Sequence, residues 1–294
     1  APRRAWLSGL PVVRPEALRD PSDAVVVSSD AHEAAIAARA ERVFAPLGVP
    51  VLRLYGEPPA RGEEDEVVAR LVSRCGLSED DARWLVVNRS ERHDATLPML
   101  PPERTELHLR RYELACRATR GARVLDVACG TGYGSTLLLT QGGAVRVTGV
   151  DTDARTVAYA ARRFGRAGRA EFLVGDACAT GQPEGAFDVV TSFETIEHVP
   201  DPRAMMRELH RVTTPGARLV LSTPFEGPLT DHHAHSFTRA GLAEIVADRF
   251  QDAEWFGQVA GDEPAEDDLP PGIFRWRDGA PRPHTMLLMA TRRD

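Results

Sequence analysis

Along the 294-residue chain, short apolar runs rich in Val and Leu alternate with stretches whose apolar positions recur at helical spacing. From residue 122 onward the runs fall at 123–128, 145–150, 171–174, 187–193 and 218–222, with helical stretches near 135–139, 153–164 and 202–212 between them. Strands that are apolar throughout and separated by helices predict a parallel sheet covered on both faces. A helix over 238–250 and late strands near 254–259 and 285–290 complete a mostly parallel, seven-stranded α/β domain spanning 103–294. The stretch 261–283, acidic and rich in proline, reads as a mobile lid or disordered loop, not a core element.

Upstream, an apolar run at 24–27, an alanine-rich helical stretch at 31–44 and a second run at 49–55 spell a βαβ unit without a glycine-rich turn. Residues 1–60 are therefore expected to form a small α/β accessory or docking module, with N-terminal residues missing, since the chain starts at Ala1 without a methionine. Residues 57–66, with two prolines and an acidic cluster, open a helical linker region over 61–102, with helices expected at 65–74 and 79–87. A longer helix at 103–120 runs into the main domain.

All 36 basic residues are arginine, and Asn88 is the sole asparagine. That bias fits a GC-rich genome and carries no mechanism. The formal charge of −7, without a dense basic run, argues against a nucleic-acid partner, whose phosphates need Lys or Arg to neutralise them. No run approaches the roughly 20 apolar residues that span a bilayer. The four cysteines Cys75, Cys116, Cys129 and Cys178 show no C-x-x-C spacing, so neither a disulfide framework nor a thiolate zinc site is expected. These features predict a cytoplasmic protein that handles a small molecule without membrane or nucleic acid; a homodimer is compatible with them.

Chemistry concentrates where strands end. Val124-Leu125-Asp126-Val127-Ala128-Cys129-Gly130-Thr131-Gly132-Tyr133-Gly134-Ser135 is a buried strand, a glycine turn and a helix start, an arrangement that brings backbone amides close to a ligand. The dinucleotide fingerprint needs a third glycine where Ser135 stands. Asp151, 21 residues past Gly130, is placed to accept hydrogen bonds from ribose hydroxyls. Gly175-Asp176-Ala177 and Phe187 to Glu194 end the third and fourth strands. Taken in order, these four motifs resemble the class I S-adenosylmethionine-dependent methyltransferases, Rossmann-like enzymes, over residues from about 103 to the C-terminus.

That resemblance implies S-adenosylmethionine as cofactor. It puts the methionine groups near Asp126, Ala128, Gly130 and Gly132, the ribose on Asp151 beside Thr152, the adenine on Asp176 and Ala177, and Phe193 and Glu194 under the methyl group. The stretch Glu106 to Tyr112 is similar to the opening helix of bacterial members acting on sugars and other small molecules, with Tyr112 closing over the cofactor. Glu194-Thr195-Ile196-Glu197-His198 resembles quinone-ring O-methyltransferases, which implies a divalent metal such as Mg on Glu194, Glu197 and His198. The other open role for His198 is a metal-free general base. The cluster Asp231-His232-His233-Ala234-His235 could supply a base or metal ligands, with His233 and His235 on one face if extended. The expected activity is O-methylation of a sugar-containing or secondary-metabolite acceptor. N-methylation of an amino sugar, a nicotinamide-dependent oxidoreductase and a non-catalytic cofactor-binding scaffold are the alternatives.

Overall fold

The computed structural model describes four short strands within residues 1–59, then residues 64–88, 94–97, 102–227, 229, 233–260, 268–277 and 279–294. The chain divides into two compact units, Ala1–Pro59 and Ala60–Asp294. In the first, β1 (Ala5–Leu7) and β2 (Leu10–Val12) pair antiparallel. There β3 (Val25–Val27) and β4 (Val51–Arg53) pair parallel, the two strands expected of a βαβ unit. The crossover helix expected at 31–44 lies outside the described residues.

The second unit opens with α1 (Glu64–Cys75) and α2 (Glu79–Val87), the latter capped by Ser78, whose hydroxyl accepts from the Asp81 amide. The two helices pack on each other, and α2 packs toward α5 (Ala154–Phe164): Trp84 meets Tyr159 at 5.7 Å, and Asp81 pairs with Arg155 and Arg162. Asp94, with no exposed side-chain surface, accepts from Tyr159 Oη at 2.7 Å and pairs with Arg163 at 2.8 Å. The long helix α3 (Pro102–Thr119) then leads into the sheet.

The sheet has eight strands in the order β11-β10-β12-β9-β8-β5-β6-β7. Parallel strands β5 (Arg123–Val127), β6 (Arg146–Asp151), β7 (Ala170–Val174), β8 (Phe187–Phe193) and β9 (Thr213–Pro224) form one part. The antiparallel strands β10 (Phe250–Gln258), β11 (Ile273–Arg275) and β12 (Thr285–Arg292) extend it. The eighth strand, β11, corrects the expected count of seven, and it lies inside the stretch expected to be a loop. Its apolar pair, Ile273 and Phe274, is too short to show any periodicity, yet Ile273 is fully buried and Phe274 nearly so.

Successive residues of each buried strand face opposite sides of the sheet. Val124, Val189 and Leu287 thus enter a core under α3, α4 (Tyr133–Thr140) and α5. Leu125, Val190 and Leu288 enter another under α6 (Pro202–Val212) and α7 (Arg239–Ala247). From β5 the chain proceeds through β6 to β7 on one side and resumes with β8 on the other. Such a reversal opens a crevice at the carboxyl ends of the strands.

Candidate active site

The turn after β5 is built from residues in left-handed conformations: Ala128 at φ 57°, Gly130 at 53° and Gly132 at 85°. Its glycines serve different ends. A Cβ on Gly130 would meet nothing within 4 Å, so that backbone faces open space. On Gly132, expected to face a ligand, a Cβ would come within 2.8 Å of Ala160 Cβ and Phe172 Cε1, so its missing side chain lets α4 seat against the sheet. At Gly134 a Cβ would overlap the Tyr112 ring.

Asp151 ends β6 and accepts from the Gly130 amide at 3.0 Å and the Asp153 amide at 3.0 Å, one bond on each carboxylate oxygen. Each oxygen keeps room for another donor. Thr152 beside it is exposed. The Gly175 amide donates to Asp151 O, which fixes the end of β7 next to that of β6. There Asp176 is exposed, with one oxygen taking the Cys178 amide at 2.6 Å, and Ala177 is buried.

Asp126 departs from expectation. Its carboxylate is 1% exposed and turned inward, taking Ser135 Oγ at 2.6 Å and Thr191 Oγ1 at 2.7 Å. Burial pushes its carboxyl up to about 6, against the opposing pull of the Ser135, Thr191 and Tyr112 hydroxyls. Ser135, the residue that spoils the dinucleotide spacing, is thus a brace tying α4 to β5. Tyr112 does not close from outside either: it is buried against Phe193 at 4.8 Å and Tyr133 at 5.6 Å, its hydroxyl 3.4 Å from both Asp126 oxygens.

Glu194 follows β8 with φ 50°, its amide held by Ser222 O and one carboxylate oxygen taking Ser222 Oγ at 2.7 Å. Arg111 Nη1 lies 3.5 Å from the same oxygen. That guanidinium is buried and anchored from below, donating through Nε to Gln258 Oε1 at 2.7 Å and through Nη2 to Thr285 Oγ1 at 3.2 Å. Gln258 in turn donates to Leu107 O of α3. Sequence reading missed this anchor, which joins residues more than 140 positions apart; its one visible trace was the Arg-Arg-Tyr run in the opening helix.

Glu197 is 2% exposed, with Thr223 Oγ1 donating to Oε2 at 2.9 Å while Oε1 has no hydrogen-bond partner among the described residues. Burial, and next the negative charge of Glu194, push its carboxyl up to about 8. Ligand atoms of Glu197, His198 and His233 lie within 4.8 Å of one another. The rings of His198 and His233 meet edge to face at 4.8 Å. The convergent trio therefore contains His233 where Glu194 was expected, because Ser222 and Arg111 hold Glu194 aside. His235 does not join it: its amide donates to Glu197 O and its ring bonds Val199 O at 3.0 Å, so it braces the loop. Asp231 and His232 lie outside the described residues.

Residues 125–221 match the family described as methyltransferase domain. A Mycolicibacterium smegmatis protein named "Probable S-adenosylmethionine-dependent methyltransferase" is 32% identical over 143 residues, 46% of this chain and 54% of its own length. The Pseudomonas aeruginosa ubiquinone biosynthesis O-methyltransferase is 37% identical over 111 residues, 37% of this chain and 47% of that protein. This chain therefore spans about half the length of these curated relatives. A solved S-adenosylmethionine-dependent methyltransferase of Thermotoga maritima aligns with TM-score 0.51 at 16% identity, covering 78% of this chain and 99% of that one, which shows the shared fold. Among the described residues, no helix is long and apolar enough to cross a membrane.

Proposed function

We propose that this chain, whose residues 125–221 match a methyltransferase domain, uses S-adenosylmethionine to methylate an oxygen of a small acceptor, a sugar-containing molecule or another secondary metabolite. The observation that carries this is the open, left-handed backbone at Gly130 hydrogen-bonded to Asp151 at the crevice where strand order reverses. The residues present fit the cofactor: an unfilled cradle at Gly130, spare acceptor capacity on Asp151, and an exposed carboxylate on Asp176 beside buried Ala177. Bound there, S-adenosylmethionine supplies a methyl group on a sulfonium, a leaving group that needs no activation.

Asp151 would hold the ribose hydroxyls, with Thr152 at the rim. Asp176 would accept from the adenine amino group, and Ala177 would pack beside the ring. The backbone from Ala128 to Gly132 would receive the methionine end. Phe193, fixed by Tyr112, would floor the reacting centre. What remains for the protein is alignment and removal of the acceptor's proton. His198, 42% exposed at the mouth, is the base in this reading, with Glu197 Oε1 3.8 Å from its Nε2. His233 packs against it, and Glu194 aligns the acceptor hydroxyl.

A second reading rests on the unpartnered Glu197 oxygen: Glu197, His198 and His233 would hold a divalent cation such as Mg, which would acidify a coordinated hydroxyl. Transfer to an amine would need neither base nor metal. Calorimetry with S-adenosylhomocysteine tests the core of the proposal: one site per chain is expected, lost in Asp151→Ala, and absence of binding refutes it. Labelled methyl transfer to a metabolite panel then separates the acceptor atoms. Turnover that survives strong chelation but falls in His198→Ala assigns the metal-free base; turnover abolished by chelation and restored by Mg assigns the cation.

A further inference from the structure

Away from the carboxyl edge of the sheet, α3 and strands β9 to β12 line an open pocket of about 270 Å³. Its floor is apolar, from Phe256 at 2% and Met289 at 7% exposure. Its rim carries Arg117, Arg218, Arg275 and Glu254. Asp268 accepts from Arg275 at 2.9 and 2.7 Å and from Arg117 at 3.1 Å. Among the described residues Arg218 has only a looser partner. Its Nη2 lies 3.7 Å from Glu254, beyond hydrogen-bond reach, and its Nε is buried with no hydrogen bond among the described residues. A buried donor left unmade costs about 1–3 kcal/mol. Among the described residues, three guanidiniums face two carboxylates at this pocket.

We propose that this cavity binds a small organic carboxylate as an effector, with the carboxylate on the Arg218 fork and the apolar body on Phe256 and Met289. A planar guanidinium matches a carboxylate through two parallel hydrogen bonds. The volume, just under the usual range of ligand sites, suits one ring or a short chain. The two walls lead to the active site. Ala118 of α3 lines the cavity, and the same helix carries Arg111; Phe256 of β10 lies two residues from Gln258, the anchor of Arg111. Occupancy thus bears on the guanidinium that faces Glu194 and on Tyr112 next to it. This effector role, unlike the binding itself, rests on the cofactor reading above.

The test uses benzoate, with benzyl alcohol as its neutral counterpart, on the full chain. Titration followed by protein NMR should show saturable binding of benzoate, weakened about tenfold or more in Arg218→Met, the size expected for a charge-assisted hydrogen bond. Arg218→Gln serves as a second variant, and a thermal midpoint no lower than that of the wild type shows that either is folded. Saturating benzoate should shift the S-adenosylhomocysteine Kd at least about twofold in the wild type, by reciprocal linkage. Equal binding of benzyl alcohol, binding indifferent to both Arg218 variants, or an unmoved Kd would overturn the proposal. Failure to bind S-adenosylhomocysteine without benzoate would instead count against the cofactor reading.

Discussion

Two single-methyl additions in one turn separate the part that meets a ligand from the part that packs. In Gly132→Ala the new Cβ stands 2.8 Å from Ala160 Cβ and Phe172 Cε1. Carbon atoms prefer about 3.5–4.0 Å, so a core ring must retreat by about 0.7 Å or more. Overpacking of that kind costs about 1–3 kcal/mol, and the left-handed φ of 85° adds about 1–2 kcal/mol for a residue with a side chain. In Gly130→Ala only the conformational cost of about 1–2 kcal/mol applies, because nothing lies within 4 Å of the new atom. At about 2–4 °C per kcal/mol for a unit of this size, Gly132→Ala should lower the thermal midpoint by about 5–15 °C and Gly130→Ala by a few degrees. Ligand binding should rank them the other way: the Gly130 methyl occupies the cradle, and S-adenosylhomocysteine affinity should drop at least about tenfold, a loss of about 1.4 kcal/mol. Scanning calorimetry and titration on both variants suffice. A Gly130→Ala protein that binds with native affinity would refute the claim that this backbone is the cradle.

Glu197→Gln tests the buried carboxyl. Since burial raises its value to about 8, the folded state favours the neutral form; the stability this brings is complete below about pH 4.3 and lost as pH rises toward 8. The variant should be relatively more stable at pH 8 and show a flatter midpoint-versus-pH curve between 5 and 8; parallel curves would remove the effect. Asp94→Ala leaves the buried Tyr159 hydroxyl without its acceptor and the part-exposed Arg163 without its ion pair, and should cost about 1–3 kcal/mol in denaturant titration, whereas a loss below about 0.5 kcal/mol would show that the site relaxes.

Much of the fold was legible because its signals are local. Pro202–Val212 and Glu79–Val87 coincide with their predicted spans, each with a side-chain cap at its start, Asp201 and Ser78. The strand-end positions of Asp151 and Asp176 were legible for the same reason, Asp151 directly after an apolar run and Asp176 one glycine beyond its own. What escaped is what long-range packing decides. Asp126 looks like a ligand residue in its own motif and is turned inward by Thr191, 65 residues away on β8. His233 meets His198, and Arg111 meets Gln258 and Thr285, only because separate strands end at the same edge. Likewise β11 owes its place to pairing with β10, which no three-residue run can announce.

Among the described residues, Ala128, Glu194, Glu226 and Asp252 are the non-glycine residues with positive φ. The first three trail the carboxyl ends of β5, β8 and β9, so conformational tension is gathered along a single rim of the sheet. Rigid neighbours such as Ser222 hold it there against a cost of order 1 kcal/mol or more per residue. Anyone hardening this molecule against heat by putting glycine at awkward backbone positions would be led first to this rim, and would gain robustness by dismantling the ledge on which the chemistry stands.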